Sequence, residues 1–145
     1  MTKAEKIKQV RDALRVFNRE AGVLKADPYG IGLPLSQASA LIDIERFGSL
    51  RPNDLVQLLK LEKSSVSRLI SVLEDKDFIA ISDDKKDRRS KTLSLTNKGR
   101  RAVQTINEAS NNLVARTLEL LSAQEQKEIV DALAKMARAV DSAIN

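Results

Sequence analysis

The chain has 145 residues, of which 42% are hydrophobic, so it is long enough and apolar enough to form one domain with its own core. It contains no cysteine and no histidine, which excludes disulfides, thiol switches, thiolate or imidazole metal sites, and Ser-His or Cys-His nucleophile pairs. Between residues 51 and 101 there are 13 cations and 8 anions, so this third carries the whole net charge of +5 and predicts one face for a polyanion.

The first elements in the chain are a long helix, a loop and a second helix. Apolar residues recur every three or four positions over residues 3–25, which predicts an amphipathic helix. Residues 26–34 contain two glycines and two prolines and predict a loop. Ser36 is placed to cap a second helix, which we expect to run to about Arg46 and to end at Gly48.

The next two helices have the outline of a helix-turn-helix. Pro52 suits the first position of a third helix, and Asp54 follows it where a carboxylate is favourable. The helical period restarts near Lys63 and continues to about Asp77, so a tight turn at residues 61–62 joins two helices.

A charged hairpin follows the helix-turn-helix. The period changes from 3.6 to 2 over residues 78–81 and 92–95, which predicts two short strands. The residues between them, 82–91, are almost all charged. A two-stranded ribbon with a charged tip in this position is a wing.

Two long helices complete the chain. Thr96 can cap one of them, and residues 122–125 have the spacing of a capping box that opens the other. A domain of this size cannot cover the apolar stripes of all its terminal helices, so we expect them to be buried across a two-fold homodimer. The expected dimer contacts are Ile7, Val10, Leu14, Leu118, Leu121, Ile129, Leu133, Met136 and Val140.

These elements predict a mainly α (α+β) fold with about six helices and a two-stranded wing. We expect a single domain, in which residues 3–26 and 97–145 form dimerisation helices and residues 35–96 form a winged helix-turn-helix region for DNA binding.

The expected DNA contacts lie on the fourth helix and on the wing. Arginine can donate two hydrogen bonds to guanine in the major groove, and short serines allow a close approach. Helix N-termini near residues 36 and 51–53 can hold phosphates, with plain helix capping as the alternative. The predicted set is Lys63, Ser64, Ser65, Ser67, Arg68 and Ser71 on the helix, Lys85, Lys86, Arg88, Arg89 and Lys91 on the wing, and Arg51, Asn53 and Ser36 at helix starts.

Some of the cations are open to more than one interpretation. We expect one of Arg88 and Arg89 to be held by Asp87 or by the domain body, and the other to enter a groove. Lys98, Arg100 and Arg101 begin a helix, where cations oppose the helix dipole, which suggests either a phosphate contact or an inter-domain salt bridge.

Several short motifs in order give the chain a resemblance to a known family. They are Asp54-Leu55, Lys63-Ser64-Ser65-Val66-Ser67-Arg68, Leu73-Glu74, Asp87-Arg88-Arg89, and Leu95-Thr96 followed by Gly99. Over nearly its whole length the chain resembles the MarR family of winged-helix transcription regulators. The resemblance implies a homodimer that binds a pseudo-palindromic operator, usually as a repressor, and often releases it when a small molecule binds.

The resemblance also implies an effector pocket, and the chain departs from the family pattern in places. The pocket residues would be Phe17, Leu24, Tyr29, Ile44 and Phe47. The family often has a small residue where Val56 stands, Thr or Ser where Arg51 stands, and Gly where Lys60 stands.

Two alternatives remain open at the level of sequence. One is a winged-helix module that docks to other proteins, although such a module does not need a basic wing. The other is the regulatory domain of a longer, enzyme-fused protein. We expect no catalytic activity, no cofactor and no metal. The sequence has no signal peptide or membrane-spanning run, so we expect a cytoplasmic protein without a membrane partner.

Overall fold

The computed structural model describes residues 1–145 as six helices and one antiparallel pair of strands. In chain order the elements are α1 (Lys3–Glu20), α2 (Leu35–Phe47), α3 (Pro52–Leu59), α4 (Lys63–Asp75), β1 (Ile79–Asp83), β2 (Lys91–Leu95), α5 (Asn97–Leu118) and α6 (Ala123–Ile144). The predicted mainly α fold with a two-stranded wing is confirmed. The chain forms two compact units, residues 1–107 and 108–145. None of the six helices combines the length and apolar content that a membrane span requires.

The first helix is fixed at its start by a capping box that the sequence analysis missed. The Glu5 carboxylate accepts the Thr2 backbone N–H at 2.6 Å, and the Thr2 hydroxyl accepts the Glu5 N–H at 3.1 Å. The helix ends at Glu20 and not near residue 25, because Gly22 takes a φ of 76° that leaves the helical region. No residue of α1 is buried, so its apolar stripe faces solvent in the single chain.

The second helix begins one residue earlier than expected. Pro34 occupies the N-cap position and Leu35 is the first helical residue, so Ser36 lies inside the first turn and does not cap the helix. The expected end is confirmed within one residue, since α2 runs to Phe47 and Gly48 follows with a φ of 81°.

The core lies between α2, α3, α4 and the strand pair. Its completely buried side chains include Leu41, Ile44, Leu55 and Leu93. Leu50, just before α3, forms two backbone hydrogen bonds with Leu93 at 3.0 and 2.7 Å, which attach the start of the helix-turn-helix to the wing. The wing is therefore joined to the body at its base.

The strands of the wing are longer toward the tip than predicted. Their register places Ile79 opposite Leu95 and Asp83 opposite Lys91. Beyond this last pair, the Asp84 N–H donates to the Ser90 carbonyl at 2.9 Å and closes the hairpin.

The junction between the wing and α5 confirms the predicted cap. The Thr96 hydroxyl accepts the Gly99 N–H at 3.0 Å and donates to the Asp77 carbonyl at 2.6 Å. Gly99 is buried against the backbone of Phe78. The end of α4 and the start of α5 are therefore held together by a threonine and a glycine.

In the unit of residues 108–145, the predicted capping box of α6 is also confirmed. The Ser122 N–H donates to the Glu125 carboxylate at 2.8 Å, and the Ser122 hydroxyl accepts the Glu125 N–H at 3.1 Å. The Gln126 amide donates to the carbonyls of Leu118 and Leu121, which fixes the turn before α6. No residue of α6 is buried.

Candidate nucleic-acid interface

The fourth helix divides into a buried face and a donor-rich exposed face. Val66, Leu69, Ile70 and Leu73 are buried, as the apolar stripe requires. On the other side, the side chains of Ser64, Ser67, Arg68 and Ser71 are exposed, and Ser65 is half-buried. Arg68 donates weakly to the Ser65 hydroxyl at 3.4 Å, so its guanidinium retains most of its donors for another partner.

One departure from the family pattern, Lys60, lies in the turn before α4. Lys60 ends α3 in the left-handed conformation, with φ 53° and ψ 41°. Glycine adopts this conformation without a steric cost, whereas lysine does so with some strain.

A second departure, Val56 in α3, is half-buried and packs against the core.

The exposed face of α4 lies between two depressions. One is a groove of about 250 Å³ between α3, α4 and the wing strands, with an apolar floor that includes Val56, Ile70 and Leu93. Its polar rim is formed by Asn53, Lys63, Ser67 and Lys91. On the other side, Ser36 and Gln37 at the start of α2 share a depression with Ser65 and Arg68. The two depressions thus bring together one group of the predicted contacts, Asn53, Lys63, Ser67 and Lys91, and a second group, Ser36, Ser65 and Arg68, whereas the wing-tip cations line neither.

Each of the three acidic residues in the wing has a partner within the protein. Asp83 pairs with Lys91 across the strands at 2.6 Å. Asp84 accepts the Lys86 N–H at 2.9 Å and binds the Arg51 guanidinium at 2.5 Å. Asp87 accepts the Arg89 N–H at 3.0 Å and so shapes the tip turn.

Four cations at the tip remain without a carboxylate partner. Lys85, Lys86, Arg88 and Arg89 are exposed, and none of them forms an ion pair. Asp87 holds Arg89 through its backbone N–H and neither guanidinium forms an ion pair, so which of the two arginines enters a groove stays a prediction. The tip therefore presents both arginines to solvent.

Arg51 is placed differently from the phosphate contact that the sequence suggested. Its backbone N–H donates to Asp54 at 2.8 Å, while its guanidinium reaches the wing and binds Asp84. The pKa of Asp84 is lowered from its ordinary value, first by the Lys86 N–H and next by the Arg51 guanidinium.

The cations at the start of α5 also have local partners. The Lys98 ammonium donates to the Lys76 carbonyl at 2.6 Å and lies 4.5 Å from the centroid of the Phe78 ring. Arg100 donates to the Leu95 carbonyl at 3.0 Å and to the side chain of Asn97. For these two residues, backbone carbonyls replace the suggested salt bridge, whereas Arg101 is exposed.

The residues suggested for an effector pocket have contrasting surroundings. Ile44 is completely buried in the core, whereas Phe17 and Leu24 are 58% and 80% exposed. Tyr29 is half-buried, and Phe47 is exposed with the Arg46 guanidinium 5.4 Å from its ring centroid. The pocket stays a prediction, in which Ile44 would contact a ligand only after the core moves.

Most of the expected dimer contacts are uncovered in the single chain. On α1 and α6 the exposure of the seven predicted side chains ranges from 37% for Met136 to 56% for Leu133. Leu118 and Leu121 are half-buried. Such a row of exposed aliphatic side chains on regular helices is unfavourable in water without a covering surface.

Comparison with known proteins places the chain among transcription regulators. A sequence model described as MarR family matches residues 31–90. The chain is 28% identical over 111 residues to the HTH-type transcriptional repressor MdtR of Bacillus subtilis, covering 77% of this chain and 72% of MdtR. It is 30% identical over 95 residues to the uncharacterized HTH-type transcriptional regulator YwhA of the same species, covering 66% of this chain and 68% of YwhA.

Solved structures share the fold. FabT of Streptococcus pneumoniae, in complex with DNA, superposes with a TM-score of 0.83 at 18% identity, over 94% of this chain and 98% of FabT. BpsR of Bordetella bronchiseptica, whose DNA binding is described as regulated by 6-hydroxynicotinic acid, superposes with a TM-score of 0.72 at 25% identity, over 89% of this chain and 98% of BpsR.

Proposed function

The chain belongs to the MarR family of transcription regulators, and on this basis we propose that it is a homodimeric, ligand-responsive repressor of a pseudo-palindromic operator. One observation carries the DNA-binding part of the proposal: α4 exposes a face of hydrogen-bond donors, and the wing exposes four cations at its tip. Donors on a helix suit base edges, and cations on a wing suit the phosphate backbone or the minor groove.

In the proposed complex, α4 enters the major groove. Ser64, Arg68 and Ser71 lie along its outermost line, and the small side chains of the two serines let the helix backbone approach the bases. Arg68 is the residue with the reach and the donors to read guanine O6 and N7. Lys63, Ser65 and Ser67 lie on the flanks, where phosphates run.

The wing supplies the second contact. The side chains of Lys85, Lys86, Arg88 and Arg89 form no ion pair, so DNA binding does not have to break one to recruit them. Arginine in a narrow minor groove is favoured by the strong negative potential there. We assign the minor groove to Arg88 and Arg89 and the flanking phosphates to the two lysines.

The exposed helices at both ends of the chain support the homodimer. Burial of the stripes of α1 and α6 against a second copy removes aliphatic surface from water, and two-fold symmetry lets one patch serve both subunits. Two copies of α4 would then read two half-sites whose centres lie about 10 base pairs apart.

The repressor and ligand parts of the proposal rest on relatives. MdtR bears the name of a repressor, and the DNA binding of BpsR is described as regulated by a small aromatic acid. A ligand releases DNA when it binds better to a dimer whose two reading helices are at the wrong spacing, since only differential affinity shifts the populations.

The test is selection of bound sequences from random duplex DNA at about 150 mM salt, followed by the salt dependence of affinity for the selected site. We expect an inverted repeat with half-site centres about 10 base pairs apart and a steep salt slope. Recovery of no sequence above the level of a scrambled control would contradict the proposal. Repression is then measured with the selected site placed over a reporter promoter.

A further inference from the structure

The wing is attached to the helix-turn-helix by one ion pair near its tip. The Arg51 Nη2 atom lies 2.5 Å from Asp84 Oδ2, and the two residues are 33 positions apart in the chain. The Asp84 side chain is 14% exposed and the Arg51 side chain 53%, whereas in the other pair in the wing Asp83 is 61% and Lys91 56% exposed, so the two pairs differ in the surroundings of the acid. Water therefore screens the Arg51–Asp84 pair less than it screens the cross-strand pair.

Both residues of this pair are also fixed to their own elements. Arg51 donates its backbone N–H to Asp54, so its Cα is held at the N-terminus of α3. Asp84 uses its second oxygen to accept the Lys86 N–H, so its carboxylate belongs to the tip turn. The ion pair thus connects the first turn of α3 directly to the turn that carries Lys85, Lys86, Arg88 and Arg89.

We infer that Arg51 is a positioning residue, a strut that sets the direction of the wing tip through Asp84 and so determines which base pairs the wing reads. The inference rests on the proposed function, because it concerns how the wing meets DNA. It differs from the phosphate contact expected for a cation at this helix start, since the guanidinium is engaged within the protein.

A phosphate-binding Arg51 and a positioning Arg51 predict opposite changes in operator affinity for one substitution, Asp84→Asn. Asp84→Asn removes a negative charge from a surface that meets DNA, so a phosphate-binding Arg51 released from its partner should bind DNA more tightly. A strut predicts the reverse: affinity for the selected operator should fall roughly three- to fivefold, because the tip loses its anchor. The asparagine retains an oxygen that can accept the Lys86 N–H, so the tip turn itself is preserved.

Three further variants complete the test on DNA. Arg51→Ala should weaken binding about as much as Asp84→Asn, and the double variant should be no weaker than either single one, since all three remove the same contact. Asp83→Asn is the matched control: it removes an acid from the same wing without touching the strut, and it should not weaken binding. Repeating the selection with Arg51→Ala should lose base preference only in the flanks under the wing, whereas simple destabilisation would lower affinity at all positions alike.

A measurement without DNA tests whether Arg51 positions the wing tip independently of whether the protein binds an operator. Amide hydrogen exchange over residues 85–90 should be faster in Arg51→Ala and in Asp84→Asn than in the wild type, and unchanged in Asp83→Asn. If no operator is recovered, faster exchange would still support the strut while the regulator proposal fails. Unchanged exchange in Arg51→Ala, or tighter operator binding by Asp84→Asn, would overturn the inference.

Discussion

Gly99 and Phe78 approach so closely that a β-carbon on Gly99 would lie 2.1 Å from the Phe78 carbonyl oxygen. That oxygen is part of the backbone that connects α4 to β1 and accepts the Thr96 N–H at 3.1 Å. It cannot move aside without disturbing the junction of α4, the wing and α5. A glycine in the first turn of α5 is therefore a requirement of the fold.

The first prediction concerns this contact. Gly99→Ala should destabilise the protein by about 3 kcal/mol, because the methyl group forces a shift of backbone in a packed region. The free energy of unfolding from urea denaturation measures the effect. Ala115→Gly, at an exposed position of the same helix, should cost only about 1 kcal/mol and serves as the control. Equal stability of Gly99→Ala and the wild type would contradict the close approach.

The second prediction concerns the wing tip. Replacing both Arg88 and Arg89 by alanine removes two cations from the minor groove, so it should greatly weaken operator binding. It should also reduce the salt slope by about 2, since each bound cation that displaces condensed counterions contributes about 0.9. Binding isotherms over a range of salt concentrations measure this. Lys127→Ala with Lys135→Ala removes the same charge from α6 and should leave the slope unchanged. A loss of dimerisation in the wing variant would instead show that the tip has a structural role.

The third prediction concerns base reading by α4. Arg68→Lys retains the charge but loses the two-pronged donor geometry that matches guanine. Affinity for the selected operator should fall by about 1–3 kcal/mol, while affinity for scrambled DNA should change little. The comparison of the two isotherms is the measurement. An equal loss on both DNAs would assign Arg68 to phosphate.

The fourth prediction concerns the proposed dimer. Leu133→Lys places a charge in the middle of the exposed stripe of α6, and two-fold symmetry doubles its effect. Sedimentation equilibrium should show a monomer, and operator affinity should be lost with the second reading helix. Ser142→Lys adds the same charge on the opposite side of the helix and should remain dimeric. A dimer that tolerates Leu133→Lys would have to use another surface.

The fifth prediction concerns the pH dependence of the wing. The pKa of Asp84 is lowered in the folded chain, so its ionised form adds stability that is present above its ordinary pKa and is lost as the pH falls through the lowered value. In Arg51→Ala the pKa of Asp84 should rise, though not fully, because the Lys86 N–H is the larger cause. NMR titration of the side-chain carboxyl carbon measures it. Asp27, whose pKa is lowered chiefly by the Gly32 N–H, should titrate as in the wild type.

Local patterns in the sequence predict most of the fold. The candidate site is less predictable, because it depends on contacts between residues that are distant in the chain. Thr96 and Ser122 could be identified as caps because a cap depends on residues within one turn. The end of α1 was misplaced because Gly22 interrupts a stripe that otherwise continues.

The partners of the basic residues could not be read from the chain. Arg51 binds an acid 33 positions away, and Lys98 and Arg100 bind backbone carbonyls that any residue could offer. A cation in a sequence indicates charge and reach, but its acceptor is determined only when elements pack.

The uncovered helices α1 and α6 have a consequence for gene control. In the proposed dimer, subunits must meet before two half-sites can be read, so operator occupancy rises with the square of the chain concentration while monomers predominate. Dilution during cell growth would then end repression sharply, even at a constant level of effector.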